Sequence, residues 1–384
     1  MVTIRPITPE EHRRFVDTLG AASFLQMPSW GQVKTDWRAQ SVGWFDGPDP
    51  TADGSGGDAG PFGVGLILYR SIPSLHRSLA YLPEGPVMDW ARLDVDSLTR
   101  ALTALVAHTR AEGAFGVRLG PPVVSRVWSA ATVKAGLAAP EVRRLGDLPP
   151  DEVGPHAAMV TQALRRAGFR PPTGSDGFAT GQPRYVFWLP LKGRSEQDLL
   201  AGFNQLWRRS IRKAERAGVT VSEAGVEGLP TFHACYVQTA HRDGFTPRPL
   251  SYFQRMLTAL SAEDPRRIRL YLAHHGGELV AATLMVQVGD HAWYSYGASS
   301  TAHRDIPGSY ALQWRMMRDA AAAGATVYDL RGITDTLDTS DHLVGLLQFK
   351  VGTGGQAVEY VGEWDRPINR ALHAAVAGYL RRRS

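Results

Sequence analysis

The stretch 268-IRLYLAHHGGELVAATLMVQVGDHAWYSYGAS-299 constrains the fold more than any other part of this chain. Three apolar runs of strand length are joined by Gly276-Gly277 and Gly289-Asp290, dipeptides suited to tight turns between antiparallel strands. Such a meander needs its faces covered, and its flanks supply the cover. Before it come a basic helical segment, 196-EQDLLAGFNQLWRRSIRKAERAG-218, and a second helix, 228-GLPTFHACYVQTAHRDG-244. After it come a helix over 308–324 and the strand 326-TVYDLRGI-333. Helix, helix, three strands, helix, strand is the order of an acetyltransferase-like α+β layer.

The first half reads as a looser copy of the same plan. PEEHRRFVDTLG is an amphipathic helix and GVGLILYRSI a buried strand. Then 81-YLPEGPVM-88 is a strand with a Pro/Gly turn, 96–113 a capped helix, 114–124 a strand ending at proline, and 157–168 a further helix. The tract 46-DGPDPTADGSGGDAGP-61 reads as a mobile surface loop on a hairpin. The expected fold is therefore α+β, with two GNAT-like mixed-sheet domains. The first spans 1–180 and is completed by 350–384; the second spans 181–349. Between Leu250 and Ile268 there is room only for a short connection, so no coiled-coil arm is expected.

Composition narrows the setting. Of 384 residues, 43% are apolar, enough for a packed interior, yet no run approaches the ~18 apolar residues of a membrane span. The start, MVTIRPITPEEHRRF, lacks the order of a secretory signal. The single cysteine, Cys235, excludes an internal disulfide and a cysteine metal site, and it reads as core. A soluble, cytoplasmic protein is expected. A net charge of +5 permits a polyanionic partner without demanding one. Only five of the 42 basic residues are lysines, which makes each lysine informative. A lysine offers a compact, deprotonatable charge that arginine does not. Lys350 stands out, within 346-LLQFKVGTGGQAVEYVGEWD-365.

Four segments in order resemble the Fem family, the aminoacyl-tRNA-dependent ligases that build peptidoglycan cross-bridges. They are 24-FLQMPSWGQVK-34, the basic helix 204-NQLWRRSIRKAERAGVTV-221, 294-YSYGASS-300 with 328-YDLRGI-333, and the glycine-rich 346–365 stretch. Together they span about 340 residues. The chain departs from the family pattern at three positions. Gly120 stands where members often carry an aspartate, Ser210 replaces an asparagine, and Thr353 replaces the phenylalanine of the glycine turn.

The resemblance implies transfer of an amino acid such as glycine from aminoacyl-tRNA to a stem-peptide amine of a lipid-linked or nucleotide-linked peptidoglycan precursor. The ester is already activated, so no cofactor and no metal are expected. The work left to the protein is positioning and stabilisation of a tetrahedral oxyanion. Lys350 is assigned that stabilisation, with Phe349 walling the catalytic site; by spacing alone Lys350 also reads as a surface lysine at a strand end. Lys34 and Arg208 are assigned to the precursor's diphosphate. Arg208, Arg212 and Arg216, at i, i+4 and i+8, with Arg209 form a basic stripe suited to phosphates or tRNA, or simply a solvated helix face. Tyr252, Tyr294 and Tyr296 are weaker candidates for orienting the stem peptide, since tyrosines at such positions also serve as half-buried core. Asp329 and Arg331 read as a structural ion pair, and His274 and His275 as exposed turn residues.

Three other readings stay open. One is a tRNA-dependent peptide ligase acting on a natural-product amine. A second is an acyl-CoA-dependent N-acyltransferase, against which 303-HRDIPGSYA-311 lacks the glycine pair that would bind a pyrophosphate. The third is a non-catalytic tRNA- or precursor-binding protein. The C-terminal 381-RRRS-384 adds basic charge that could touch the inner membrane face peripherally, but three arginines do not make an anchor.

Overall fold

A computed structural model describes residues 1–47, 60–72, 75–172 and 181–381. It divides into two compact units. The first comprises Met1–Val127, Glu152–Arg184 and Glu359–Ser384; the second comprises Trp128–Asp151 and Tyr185–Val358. Residues 128–151 and 350–358 thus pack with the second unit, where the sequence had placed them in the first. Most of the tract read as a surface loop lies outside the described residues, but the strands flanking it, Arg38–Asp46 and Gly63–Ile72, do pair antiparallel.

In the first unit the strand order is Val2–Pro6, Arg38–Asp46, Gly63–Ile72, Arg77–Leu82, Ala114–Leu119, Trp364–Pro367, with Val87–Met88 also on Gly63–Ile72. All neighbours are antiparallel except Arg77–Leu82 with Ala114–Leu119, which are joined through the helix Val95–Ala111. Helix Pro9–Leu19 starts at a capping box, in which Thr8 accepts from the Glu11 amide while the Glu11 carboxylate reaches back. The core gathers Trp44, Ile67, Tyr69, Leu102, Leu105, Phe169 and Trp364. Gln26 of the first signature is fully buried and fully employed. Its amide donates to the Pro83 carbonyl at 2.8 Å and its Oε1 accepts from the Leu66 amide at 2.9 Å, tying Gly63–Ile72 to the turn after Arg77–Leu82.

In the second unit the strands run in the order Thr220–Ala224, Ile268–His275, Glu278–Val288, His291–Ser299, Val327–Gly332, Tyr185–Pro190, Gln356–Tyr360, the last of these continuing into the first unit. The three-strand meander and its two glycine turns stand as read. Its histidines, His274 and His275, are half-buried rather than exposed. The segment read as one basic helix is two, Glu196–Gly202 and Gln205–Arg216. The Asn204 side chain accepts from the Trp207 amide and starts a new N-terminus there. The supposed short connection after Leu250 is a 14-residue helix, Leu250–Glu263, that buries Tyr252, Phe253, Met256 and Leu260. Lys350 lies not at a strand end but on a helix, Val344–Val351. Leu347 and Val351 of that helix join Trp207, Ile211, Tyr271, Met316 and Tyr328 in one core.

Candidate active site

Two strands of the second unit part company at its centre. His291–Ser299 and Val327–Gly332 pair in parallel only over His291–Trp293 and Val327–Asp329. Beyond that level each strand holds a non-glycine residue in the left-handed region, Tyr296 at φ 54° and Arg331 at φ 64°. Such residues cost about 1–3 kcal/mol and persist where surroundings enforce them. At Arg331 the enforcement is visible. The buried carboxylate of Asp329 accepts from the Arg331 amide at 2.6 Å, and the register with Tyr185–Pro190 slips between Asp329 and Gly332. Asp329 therefore works on Arg331 through its backbone. Its other oxygen accepts from the Trp188 indole at 3.2 Å and lies 3.5 Å from His291 Nε2.

The ammonium of Lys350 rests on this bulge. Its Nζ donates to the Gly332 carbonyl at 2.6 Å and to the Arg331 carbonyl at 3.3 Å. The residue is only 3% exposed. Burial pulls its pKa from 10.5 down to about 7, the Asp329 charge opposes that shift, and Arg331 adds to it. A lysine in this state exchanges its proton near neutrality, a property of catalytic more than of structural lysines.

The helix carrying Lys350 is locked to the basic helix. Phe349 is half-buried, its ring 4.8 Å from Trp207 and 5.1 Å from Tyr310. The Trp207 indole donates to the Phe349 carbonyl at 2.8 Å. Gly352 is required here, because a Cβ would lie 2.5 Å from Trp207 Cδ1. Thr353, where the resemblance leads one to expect an aromatic residue, is fully buried and donates to the Lys350 carbonyl at 2.7 Å. Ser210 faces the Tyr310 hydroxyl.

On the outer face of Gln205–Arg216 the stripe is real. Gln205, Arg208, Arg209, Arg212 and Arg216 line one groove. Arg208 is half-buried and donates to the Ala201 carbonyl at 3.2 Å; Arg216 donates to the Arg212 carbonyl. Among the described residues no carboxylate pairs with any of the four arginines. The three tyrosines divide. The hydroxyls of Tyr252 and Tyr296 bond to each other at 2.9 Å within a cluster that includes Tyr236 and Phe253. Tyr294 lies apart from them, against Gly297.

In the first unit, Lys34 caps the helix Pro28–Val33, with Nζ 5.4 Å from the Trp30 ring centroid. Gly120, where the resemblance leads one to expect an aspartate, has its space taken. A Cβ there would lie 2.9 Å from Cγ of Glu363. Glu363 accepts from the Tyr81 hydroxyl and the Gln182 amide, with Arg118 at 4.0 Å, and burial raises its pKa. The unit thus keeps a buried carboxylate beside position 120, supplied from the chain's other end. The sequence offered only one hint of this, the glutamate closing 360-YVGE-363.

The FemAB family description matches residues 7–273 and 267–381, nearly the whole chain. The chain belongs to the FemAB family. Among FemAB relatives, the lipid II:glycine glycyltransferase of Staphylococcus aureus strain USA300 is 24% identical over 438 residues, covering 96% of this chain and 94% of that protein. The crystal structure of FemX superposes with a TM-score of 0.77 at 23% identity, covering 97% of this chain and 99% of FemX. The structure of L-PGS from Bacillus licheniformis shares the fold more loosely, with a TM-score of 0.53 at 12% identity over 98% of this chain and 97% of that one. Among the described residues of this FemAB chain, no helix is long and apolar enough to cross a membrane.

Proposed function

We propose that this protein is an aminoacyltransferase that moves an amino acid, glycine being the first candidate, from aminoacyl-tRNA to a side-chain amine of a lipid-linked peptidoglycan precursor. The observation that carries the reading is the buried Lys350 at the strand fork, in a family whose matched Staphylococcus aureus relative bears the name lipid II:glycine glycyltransferase. The amine nitrogen attacks the ester carbonyl carbon. The carbon–oxygen bond to the tRNA ribose then breaks, and one proton passes from the nitrogen to the departing ribose oxygen. Lys350 stabilises the oxyanion between these events, in its protonated form. Phe349 forms the wall beside it.

The arginine groove supplies positive charge for a phosphodiester chain, and its lack of acidic partners among the described residues leaves that charge uncompensated. Arg208 of the second unit and Lys34 of the first are the cations we assign to precursor phosphates. Tyr252 and Tyr296, joined through their hydroxyls, present one polar edge to the stem peptide.

The decisive assay offers labelled precursor with charged tRNA pools and, separately, with acetyl-CoA. Transfer from glycyl- or another aminoacyl-tRNA is expected. Label arriving from acetyl-CoA and from no charged tRNA would sink the reading. Within the same assay, Lys34→Ala and Arg208→Ala should each weaken precursor binding about tenfold, as loss of one charged hydrogen bond costs about 1.5–3 kcal/mol. Unchanged affinity in a titration calorimeter would remove that residue from the phosphate assignment.

A further inference from the structure

The carboxylate of Asp329 is fully buried and, among the described residues, short of donors. One oxygen accepts from the Arg331 amide at 2.6 Å, and Oδ2 accepts from the Trp188 indole at 3.2 Å. An ionised carboxylate offers about four acceptor positions, and a buried charge is tolerated only when it is paired and hydrogen-bonded. Lys350 does not fill the remaining positions, because its ammonium donates to the Arg331 and Gly332 carbonyls. It reaches Asp329 through charge.

A third donor faces the same carboxylate. His291 Nε2 lies 3.5 Å from Oδ2 and is buried with no hydrogen-bond partner among the described residues. The strand register brings the two together. Asp329 stands opposite Trp188 on one neighbouring strand and opposite Trp293 on the other. His291, two residues before Trp293, shares the face of that tryptophan. Its imidazole stacks on the Trp293 ring at 4.2 Å and 24°, and meets the Trp188 ring edge-on at 5.4 Å. Held on those rings, it presents Nε2 to Oδ2, and the negative charge there selects the tautomer with the proton on Nε2.

An orphaned donor and an under-supplied acceptor thus stand about half an ångström beyond hydrogen-bond range, a gap that catalytic sites commonly close when substrate binds. We propose that His291 is a positioning residue for Lys350: its Nε2–H closes on Oδ2 of Asp329 and holds that carboxylate ionised and fixed beside the lysine. A hydrogen bond to the charged form of an acid favours that form. Asp329 then keeps its full charge acting on Lys350, against burial and against Arg331. The other titratable groups close by are engaged elsewhere. Asp290, next to His291, accepts from the Thr326 hydroxyl at 3.0 Å, and the Tyr328 hydroxyl donates to Gln313 at 2.8 Å. The inference rests on the aminoacyl-transfer reading only for the purpose that Lys350 serves.

The test follows the titration of Lys350 itself in the full chain. With only five lysines present, side-chain NMR of labelled lysine separates their signals, and Lys350→Met assigns the one that matters. His291→Phe keeps a flat ring on Trp293 and removes the donor, whereas His291→Gln restores an N–H at nearly the same place. In His291→Phe the Lys350 midpoint should fall by about half a pH unit or more, about a threefold weaker hold on its proton. The basic limb of kcat/KM should fall with it, and His291→Gln should recover most of both shifts. The midpoint is read on folded protein, so a loss of stability does not imitate it. An unmoved midpoint in His291→Phe would overturn the proposal. A rise would overturn it too, since that is the mark of an imidazolium competing with Lys350 for Asp329. If the midpoint falls as stated while no charged tRNA supports transfer, His291 keeps its hold on Lys350 and the transfer reading alone fails.

Discussion

Lys350→Met should lose transfer by about a hundredfold or more and yet unfold at a higher temperature near pH 6.5. The loss follows from removing a single preorganised charge from an oxyanion, an effect of about 10²–10³ in rate. The gain in stability follows from burial. With its pKa at about 7 in the fold and 10.5 as an unperturbed side chain, Lys350 binds its proton more weakly in the folded state than in the unfolded one. Below pH 7 both states are protonated and the fold carries the full cost of the buried charge. As pH rises from 7 toward 10.5, the folded protein releases the proton while the unfolded chain keeps it, so this group's contribution to stability rises over that window. The total is on the order of a few kcal/mol. The uncharged thioether of the variant would carry no such cost, although the Gly332 and Arg331 carbonyls lose a donor. The measurable signature is a wild-type melting temperature that climbs from pH 7 to 9 relative to the variant. Parallel curves would refute the buried-charge account, and near-normal turnover in Lys350→Met would refute the oxyanion role.

Asp329→Asn should separate the two duties of that carboxylate. Asparagine still accepts from the Arg331 amide, so the left-handed bulge and the carbonyls beneath Lys350 are retained. What disappears is the negative charge that holds the lysine's pKa up against burial. Protonated Lys350 should then be lost at lower pH, and the basic limb of the kcat/KM profile should move in the acidic direction, while the same linkage makes the variant less stable than wild type below pH 7. Asp329→Ala should instead be about 3 kcal/mol less stable, since it strands a buried ammonium and an amide together. A basic limb that stays in place in Asp329→Asn would mean that another group sets it.

Much of the fold could be read from residue order, because strand length, glycine turns and apolar periodicity are local properties. The meander over 268–299 and the strand 326–333 were legible for that reason. The break at Asn204 was not, since a helix of the same composition runs on unless the next segment needs the space; here the backbone of Gly354 lies against Gly202, where a Cβ on Gly354 would come within 2.4 Å of the Gly202 carbonyl oxygen. The helix Leu250–Glu263 was missed because the interval looked too short for one, although its burial of Phe253 and Leu260 follows an ordinary helical spacing. Among candidate residues, Lys350 drew notice by its rarity. The function of Asp329 was hidden because a carboxylate two residues before an arginine suggests an ion pair, and only the slipped register shows the amide taking the bond. Gly120 reads as a loss against the pattern the resemblance implies, and only three-dimensional proximity shows Glu363 against that position.

The helix that displays the arginines outward is the same one that grips Phe349 through Trp207 on its inner side. A polyanion settling on the outer face therefore loads a rigid element whose opposite side holds the helix carrying Lys350. If a displacement of one is shared by the other, thermodynamic reciprocity applies: a ligand beside the lysine that changes affinity at the arginines has its own affinity changed by the same factor.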